Sequence, residues 1–262
     1  MTFEEKLLYQ LAGELSKAGA PVVIKGALVT KLILMEKNYD KVRQTRDIDM
    51  NWVKEPFPSM EDLIKWVNKS LNKIQDGLYA AVKREYIPGI QAAGFYIINR
   101  DTEKRVTSID INAGFLNKSK IYKIGDAEFQ GVLPSEILAD KICILSGDRI
   151  FRRAKDVMDI YALSQCVDIQ MAEILDICEK KGRKIDAFDN FCNRITELEH
   201  AYNKLAGIEN KPPFADLYAQ VSKFIRPFVE KDTLNQFWDH KNQTWHELSD
   251  INTDNLTRHG EN

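Results

Sequence analysis

The sequence predicts an α+β protein: an N-terminal domain with a mixed sheet and flanking helices, residues 1–133, followed by an all-helical C-terminal domain, residues 134–262. Three observations carry this expectation. Helix-like and strand-like runs alternate along the first half, the pattern by which a sheet comes to be covered with helices. From Pro134 onward the apolar period turns helical almost everywhere. The chain's 262 residues, 44% hydrophobic and 29% charged, are enough to bury a sizeable core in one large domain or two small ones.

In chain order, residues 3–17 read as an amphipathic helix that leads through Gly19 and Pro21 to a short apolar strand, 22–24. Gly26 opens a helical stretch ending near Lys37. Residues 47–53 alternate as a strand, and 60–74 have helical spacing in Leu63, Ile64, Val67 and Leu71. Strand-like runs follow at 79–86, 94–98, 106–111 and 129–133. The C-terminal half reads as helices over 134–145, 152–164, 171–181, 188–205 and 214–228, punctuated by Pro212, Pro213 and Pro227. From Ser249 the end is polar enough to fray.

Composition excludes some classes. Residues 2–18 are acidic and amphipathic, without the basic start and small-residue cleavage site of a signal peptide, and no apolar run approaches about 18 residues. A soluble, cytoplasmic protein with no membrane partner is expected. Cys143, Cys166, Cys178 and Cys192 lie in apolar helical contexts without a CxxC pair, so buried free thiols are expected. With a formal net charge of -2, any nucleic-acid partner has to be held by a local basic surface.

The strongest chemical signal is Thr45-Arg46-Asp47-Ile48-Asp49-Met50. Aspartates at i and i+2 of a strand project from one face, while Ile48 and Met50 point to the other. Paired carboxylates repel unless hard cations neutralise them, and two divalent ions between carboxylates suit phosphoryl or nucleotidyl transfer. Ile109-Asp110-Ile111 repeats the grammar and makes Asp110 the natural third ligand, with two edge strands bearing solvated acids as the competing explanation. Upstream, Val22-Val23-Ile24-Lys25-Gly26-Ala27 is a buried strand running through a glycine into a helix. Such a start leaves backbone N–H groups available to a triphosphate.

These residues carry a resemblance. Gly26, then Asp47-Ile48-Asp49, then Asp110 resemble the signature of polymerase-β-like nucleotidyltransferases. The segments Ile24-Lys25-Gly26-Ala27-Leu28, Arg43-Gln44-Thr45-Arg46-Asp47-Ile48-Asp49 and Ile109-Asp110-Ile111-Asn112-Ala113-Gly114 are similar to the AbiEii-type abortive-infection toxin family. So is the run from Leu133-Pro134-Ser135-Glu136 through Ala139-Asp140-Lys141 to Arg153-Ala154-Lys155-Asp156-Val157-Met158-Asp159. The likeness spans roughly residues 20–165. The family usually has Gly or Ser where this chain has Ala27, which keeps a backbone N–H and loses a hydroxyl.

The resemblance implies a nucleotidyltransferase-fold N-terminal domain and a helical domain that completes the active-site cleft. It implies a metal site of Asp47, Asp49 and Asp110 holding two Mg²⁺, with Asp110 helping to deprotonate the acceptor. Lys25, Gly26, Ala27 and Lys141 then bind the nucleotide, and Asp156 belongs to the catalytic set. Read from spacing alone, Lys141 falls on the apolar helix face of Ile137, Leu138, Ile142 and Leu145, where snorkelling to the surface is the competing explanation. Arg152–Asp156 and Lys155–Asp159 are i, i+4 pairs that could equally be plain helix support.

The reading is a metal-dependent nucleotidyltransferase that transfers NMP from an NTP to an acceptor, the toxin of a toxin–antitoxin or abortive-infection system. Its expected partners are an NTP, tRNA as the acceptor known in parts of the family, and a cognate antitoxin. Two other readings stay open: a small-molecule nucleotidyltransferase of the aminoglycoside-modifying kind, and a catalytically silent nucleotide- or antitoxin-binding module. His200, His240, His246 and His259 lack a zinc spacing and read as surface or packing residues. Trp238 and Trp245 are placed to clamp the last helix. Lys180-Lys181-Gly182-Arg183-Lys184 is the first candidate for an RNA-facing patch.

Overall fold

A computed structural model describes residues 2–114, 118–148, 153–208, 210–230 and 235–248. Arg152, His259 and the polar end from Ser249 lie outside these. The chain divides into two compact units, one of Met1–Ile33 with Arg43–Leu133 and a second of Leu34–Val42 with Pro134–Asn262.

The first unit is built on a seven-stranded mixed sheet. Helix α1 (Phe3–Lys17) starts at a reciprocal cap in which Thr2 Oγ1 accepts from Glu5 N and a Glu5 oxygen accepts from Thr2 N. Its apolar stripe of Leu7, Leu8, Leu11 and Leu15 is fully buried. Strand β1 (Val22–Lys25) passes directly into α2 (Gly26–Glu36). Then come β2 (Asp47–Trp52), α3 (Met60–Leu71), β3 (Tyr79–Ile87), β4 (Ala92–Asn99), β5 (Arg105–Ala113), β6 (Ser119–Ile124) and β7 (Ala127–Val132). The strand order is β3-β4-β5-β2-β1-β7-β6. Only β2 with β5 and β1 with β7 run parallel among the described pairs.

Strand β6 is the one strand of this seven-stranded sheet absent from the sequence expectation. It pairs with β7 through a two-residue turn, with Ile124 opposite Ala127 and Gly125 at φ 54°. The Gly125-Asp126 dipeptide between alternating runs is a legible hairpin signal.

The second unit is helical, as expected: α4 (Pro134–Leu145), α5 (Ala154–Ser164), α6 (Met171–Lys180), α7 (Asp189–Asn193), α8 (Ile195–Asn203) and α9 (Phe214–Glu230). The continuous helix expected over 188–205 is two, because Arg194 leaves helical geometry at φ −117°, ψ 46°. One addition was not anticipated. Strands β8 (Ile169–Gln170), β9 (Gln236–Asp239) and β10 (Thr244–Glu247) form a small antiparallel sheet. Trp238 and Trp245 stand opposite each other on it and both pack against Phe224 of α9. Their indole N–H groups donate to Ser164 O and Phe224 O. They do clamp the last helix, from strands.

Cys166 and Cys178 are buried free thiols, as expected, whereas Cys143 is half-buried and Cys192 exposed on the short α7. Among the described residues no helix is long and apolar enough to cross a membrane.

Candidate active site

Strand β2 alternates as its residues dictate: Ile48 and Met50 have no exposed surface, while Asp47 and Asp49 are half-buried on the opposite face. Strand β5 does the same, with Ile109 and Ile111 inaccessible and Asp110 half-buried between them. The strands are parallel, with Asp49 in register with Asp110 and Asp47 with Ser108. Register partners of neighbouring strands share a face about 4.8 Å apart. The sheet therefore brings all three aspartates to one face from two adjacent strands.

On the other side of β2, Lys25 is the antiparallel partner of Asp49. Gly26 follows it at φ 68°, and a Cβ there would lie 2.5 Å from Asp49 Oδ2. The first turn of α2, with Ala27 in it, thus begins against the carboxylate face. Its N–H groups fall outside the helix's own i→i−4 ladder.

The approach to β2 is fixed from beneath. Glu5, fully buried, is ion-paired with Lys31 at 2.6 Å and accepts from Thr45 N at 3.2 Å. Thr45 Oγ1 in turn donates to Asp47 O at 3.3 Å and lies 3.5 Å from Asp47 Oδ1. Thr107 Oγ1 donates to Arg46 O at 2.6 Å. Burial pushes the Glu5 pKa up, but hydrogen bonds from Lys31, Thr2 and Thr45 outweigh it and hold the carboxyl below its ordinary value.

Asp110 has a partner that sequence reasoning missed: Arg84 of β3 forms an ion pair with its Oδ1. Among the described residues, the one trio of His, Cys, Asp or Glu whose ligand atoms all lie within 4.8 Å is Asp239 at the end of β9 with the flanking Asp168 and His240, not the three aspartates. There the His240 ring pairs with Asp168. The chemistry of Asp47, Asp49 and Asp110 still suits hard divalent ions, because their half-exposed carboxylates share a face and are hard oxygen donors. A cavity of 460 Å³ between α1 and the β6–β7 turn includes none of these side chains.

In the second unit Lys141 does not snorkel. It is 7% exposed, with Nζ 3.0 Å from Asp156 Oδ1 and 2.7 Å from Asp159 Oδ2. Asp159 pairs here with Lys141, in place of the Lys155 partner that helical spacing suggested, and its side chain is 3% exposed. Arg153 lies 3.8 Å from the other Asp156 oxygen. The basic run 180–184 is largely consumed by acids: Lys180 pairs with Asp176, Lys181 with Glu136 and Asp140, and Arg183 with Asp140. It is a structural brace more than an open cationic patch.

A seven-stranded mixed sheet with this carboxylate face, joined to a helical unit, defines a nucleotidyltransferase-fold protein. The family model described as "Nucleotidyl transferase AbiEii toxin, Type IV TA system" matches residues 9–244, and the chain belongs to that family. Among solved structures it is similar to MenT4, a nucleotidyltransferase toxin from Mycobacterium tuberculosis H37Rv. That likeness has 14% identity and a TM-score of 0.55, covering 97% of this chain and 85% of that one. A second similar structure is an antigenic nucleotidyltransferase-like protein from Paracoccidioides brasiliensis, with 15% identity, a TM-score of 0.39, and coverage of 76% and 92%. No curated protein matches.

Proposed function

We propose that this protein is a Mg²⁺-dependent nucleotidyltransferase toxin that moves NMP from an NTP onto a tRNA acceptor and is restrained by a cognate antitoxin. The observation that supports this best is the register of Asp49 with Asp110, beside Asp47 and against Gly26 at the start of α2. In the reaction an acceptor hydroxyl oxygen bonds to the α-phosphorus, the α–β bridging bond breaks, and pyrophosphate leaves. Bound Mg²⁺ supplies charge neutralisation at the phosphates, and Asp47, Asp49 and Asp110 are the residues that would hold it. Asp110 is the carboxylate assigned to the acceptor's proton. Gly26 and Ala27, in the first turn of α2, and Lys25, at the end of β1, bind the triphosphate. Lys141 is the phosphate-binding lysine of this reading, with Asp156 holding its ammonium. The division into a catalytic domain, 1–133, and a helical domain, 134–262, goes with it. NTP and tRNA as substrates put its place of work in the cytoplasm.

The test is incubation of the purified protein with each labelled NTP, Mg²⁺ and total tRNA, with Asp49→Asn beside it. Label transfer that needs Mg²⁺ and Asp49 is the expected result. Transfer to a small molecule instead of tRNA would move the assignment to the small-molecule class, and no turnover of any NTP would leave a binding module.

A further inference from the structure

Arg84 reaches Asp110 by a route that three separate features of the sheet make available. The first is a β-bulge. Lys83 is in register with Phe95 and Glu85 with Gly94, so Arg84 is the extra residue on β3. Bulges re-aim a side chain that regular pleating would send elsewhere, and they concentrate beside active sites.

The second is the residue lying between. Gly94 of β4 is the register partner of Asp110 on β5, so the path from β3 to Asp110 crosses Gly94. A Cβ at Gly94 would lie 2.5–2.8 Å from the Arg84 guanidinium atoms. A side chain there and the Arg84–Asp110 pair cannot coexist in this arrangement. The third is the bracing of the arginine itself. Glu85 Oε1 accepts from Arg84 Nε at 3.2 Å and Nη2 at 2.7 Å, and the guanidinium lies 5.8 Å from the Tyr96 ring centroid.

We propose that Arg84 is a positioning residue for the third carboxylate: its braced guanidinium spans the side-chain-free gap at Gly94 and fixes the Asp110 carboxylate on the face it shares with Asp49. This rests on the carboxylate face being a divalent-cation site. Metal-ligating carboxylates depend on outer partners for orientation, and losing one typically weakens metal binding by about 10–100-fold. A guanidinium acting only as a nearby positive charge has the opposite sign. Removing it would relieve repulsion and tighten cation binding.

The experiment measures Mn²⁺ affinity of the full chain, by calorimetry or electron paramagnetic resonance, with thermal melting in parallel. The variants are Arg84→Gln, Gly94→Ala, Asp110→Asn and the Arg84→Gln/Asp110→Asn double. Gly94→Ala keeps the arginine and displaces its flexible tip, so it breaks the same link by a second route and guards against misfolding of Arg84→Gln. Expected are about tenfold or greater weakening in Arg84→Gln and in Gly94→Ala, and a double variant no weaker than Asp110→Asn. Binding in Arg84→Gln that equals or exceeds wild type, while Asp110→Asn is weak, overturns the positioning role alone. A double variant weaker than Asp110→Asn by the full Arg84 factor also overturns it, since Arg84 then acts apart from Asp110. Unchanged binding in Asp110→Asn instead overturns the cation-site reading underneath.

Discussion

Gly26 and Asp49 are packed so closely that a methyl group on the glycine would sit 2.5 Å from Asp49 Oδ2 and 3.3 Å from its Cβ and Cγ. The glycine is therefore doubly constrained. Its φ of 68° disfavours any side chain, and the space a side chain needs is filled by a carboxylate of the candidate site.

Gly26→Ala separates these constraints when set beside Gly125→Ala. Gly125 also has positive φ, at 54°, but nothing lies within 4 Å of its Cβ position. Both variants should lose about 1–2 kcal/mol of stability from backbone strain. Only Gly26→Ala should lose turnover, because only there is Asp49 displaced. Thermal melts and labelled-NTP turnover check this, and equal activity of the two variants would remove Gly26 from the site.

Asp47→Asn and Asp49→Asn should each abolish transfer while leaving the melting temperature unchanged or slightly raised, since one of several like charges on a common face is removed. Bacterial expression of the wild type should slow growth, and expression of Asp49→Asn should not. Near-wild-type turnover in either variant would remove that aspartate from the metal set.

Glu5 predicts a pH effect. Its folded pKa is held below the ordinary 4.5, so its contribution to stability is complete above that value and is lost as pH falls through the lowered folded pKa. Glu5→Gln leaves Lys31, whose side chain is only 12% exposed, without this partner, and should cost about 3 kcal/mol near neutrality. Melting from pH 3 to 7 should show the wild type falling more steeply with acidification than Glu5→Gln, the two curves converging at the acid end. Parallel curves would mean that Glu5 does not titrate with folding.

Much of this was legible in the sequence because it is local. The alternation around Asp47, Asp49 and Asp110 is a period-two pattern with apolar residues on the other face, and the strand–glycine–helix run marks the start of α2. Apart from β6, whose hairpin turn is itself legible, what escaped is non-local or short. Arg84 finds Asp110 across 26 positions of sequence, through a bulge that leaves no pattern of its own. Asp159 looked like a helix partner of Lys155 until tertiary packing paired it with Lys141. Strands β8 to β10 hold two to four residues each, too few to show a period.

Lys141 gives the last test, and its direction follows from burial. A snorkelling lysine could become methionine at little cost, because the stem supplies the packing. Here the ammonium lies inside, within 3.0 Å of both Asp156 and Asp159, and the Asp159 side chain is 3% exposed. Lys141→Met therefore takes the cationic partner away from a buried carboxylate, and should lose up to about 3–5 kcal/mol. The loss falls below that range to the extent that Asp156, at 17% exposed, is rehydrated. Such a variant cannot report on chemistry by itself. Lys141→Arg can, because it keeps the charge between the two carboxylates and so most of the stability, while its planar fork replaces a compact ammonium. If Lys141 also neutralises triphosphate charge as pyrophosphate leaves, Lys141→Arg should melt within a few degrees of wild type and lose roughly 10²-fold in single-turnover rate. A wild-type rate in Lys141→Arg would make the lysine a buried structural ion and leave the chemistry to the carboxylate face.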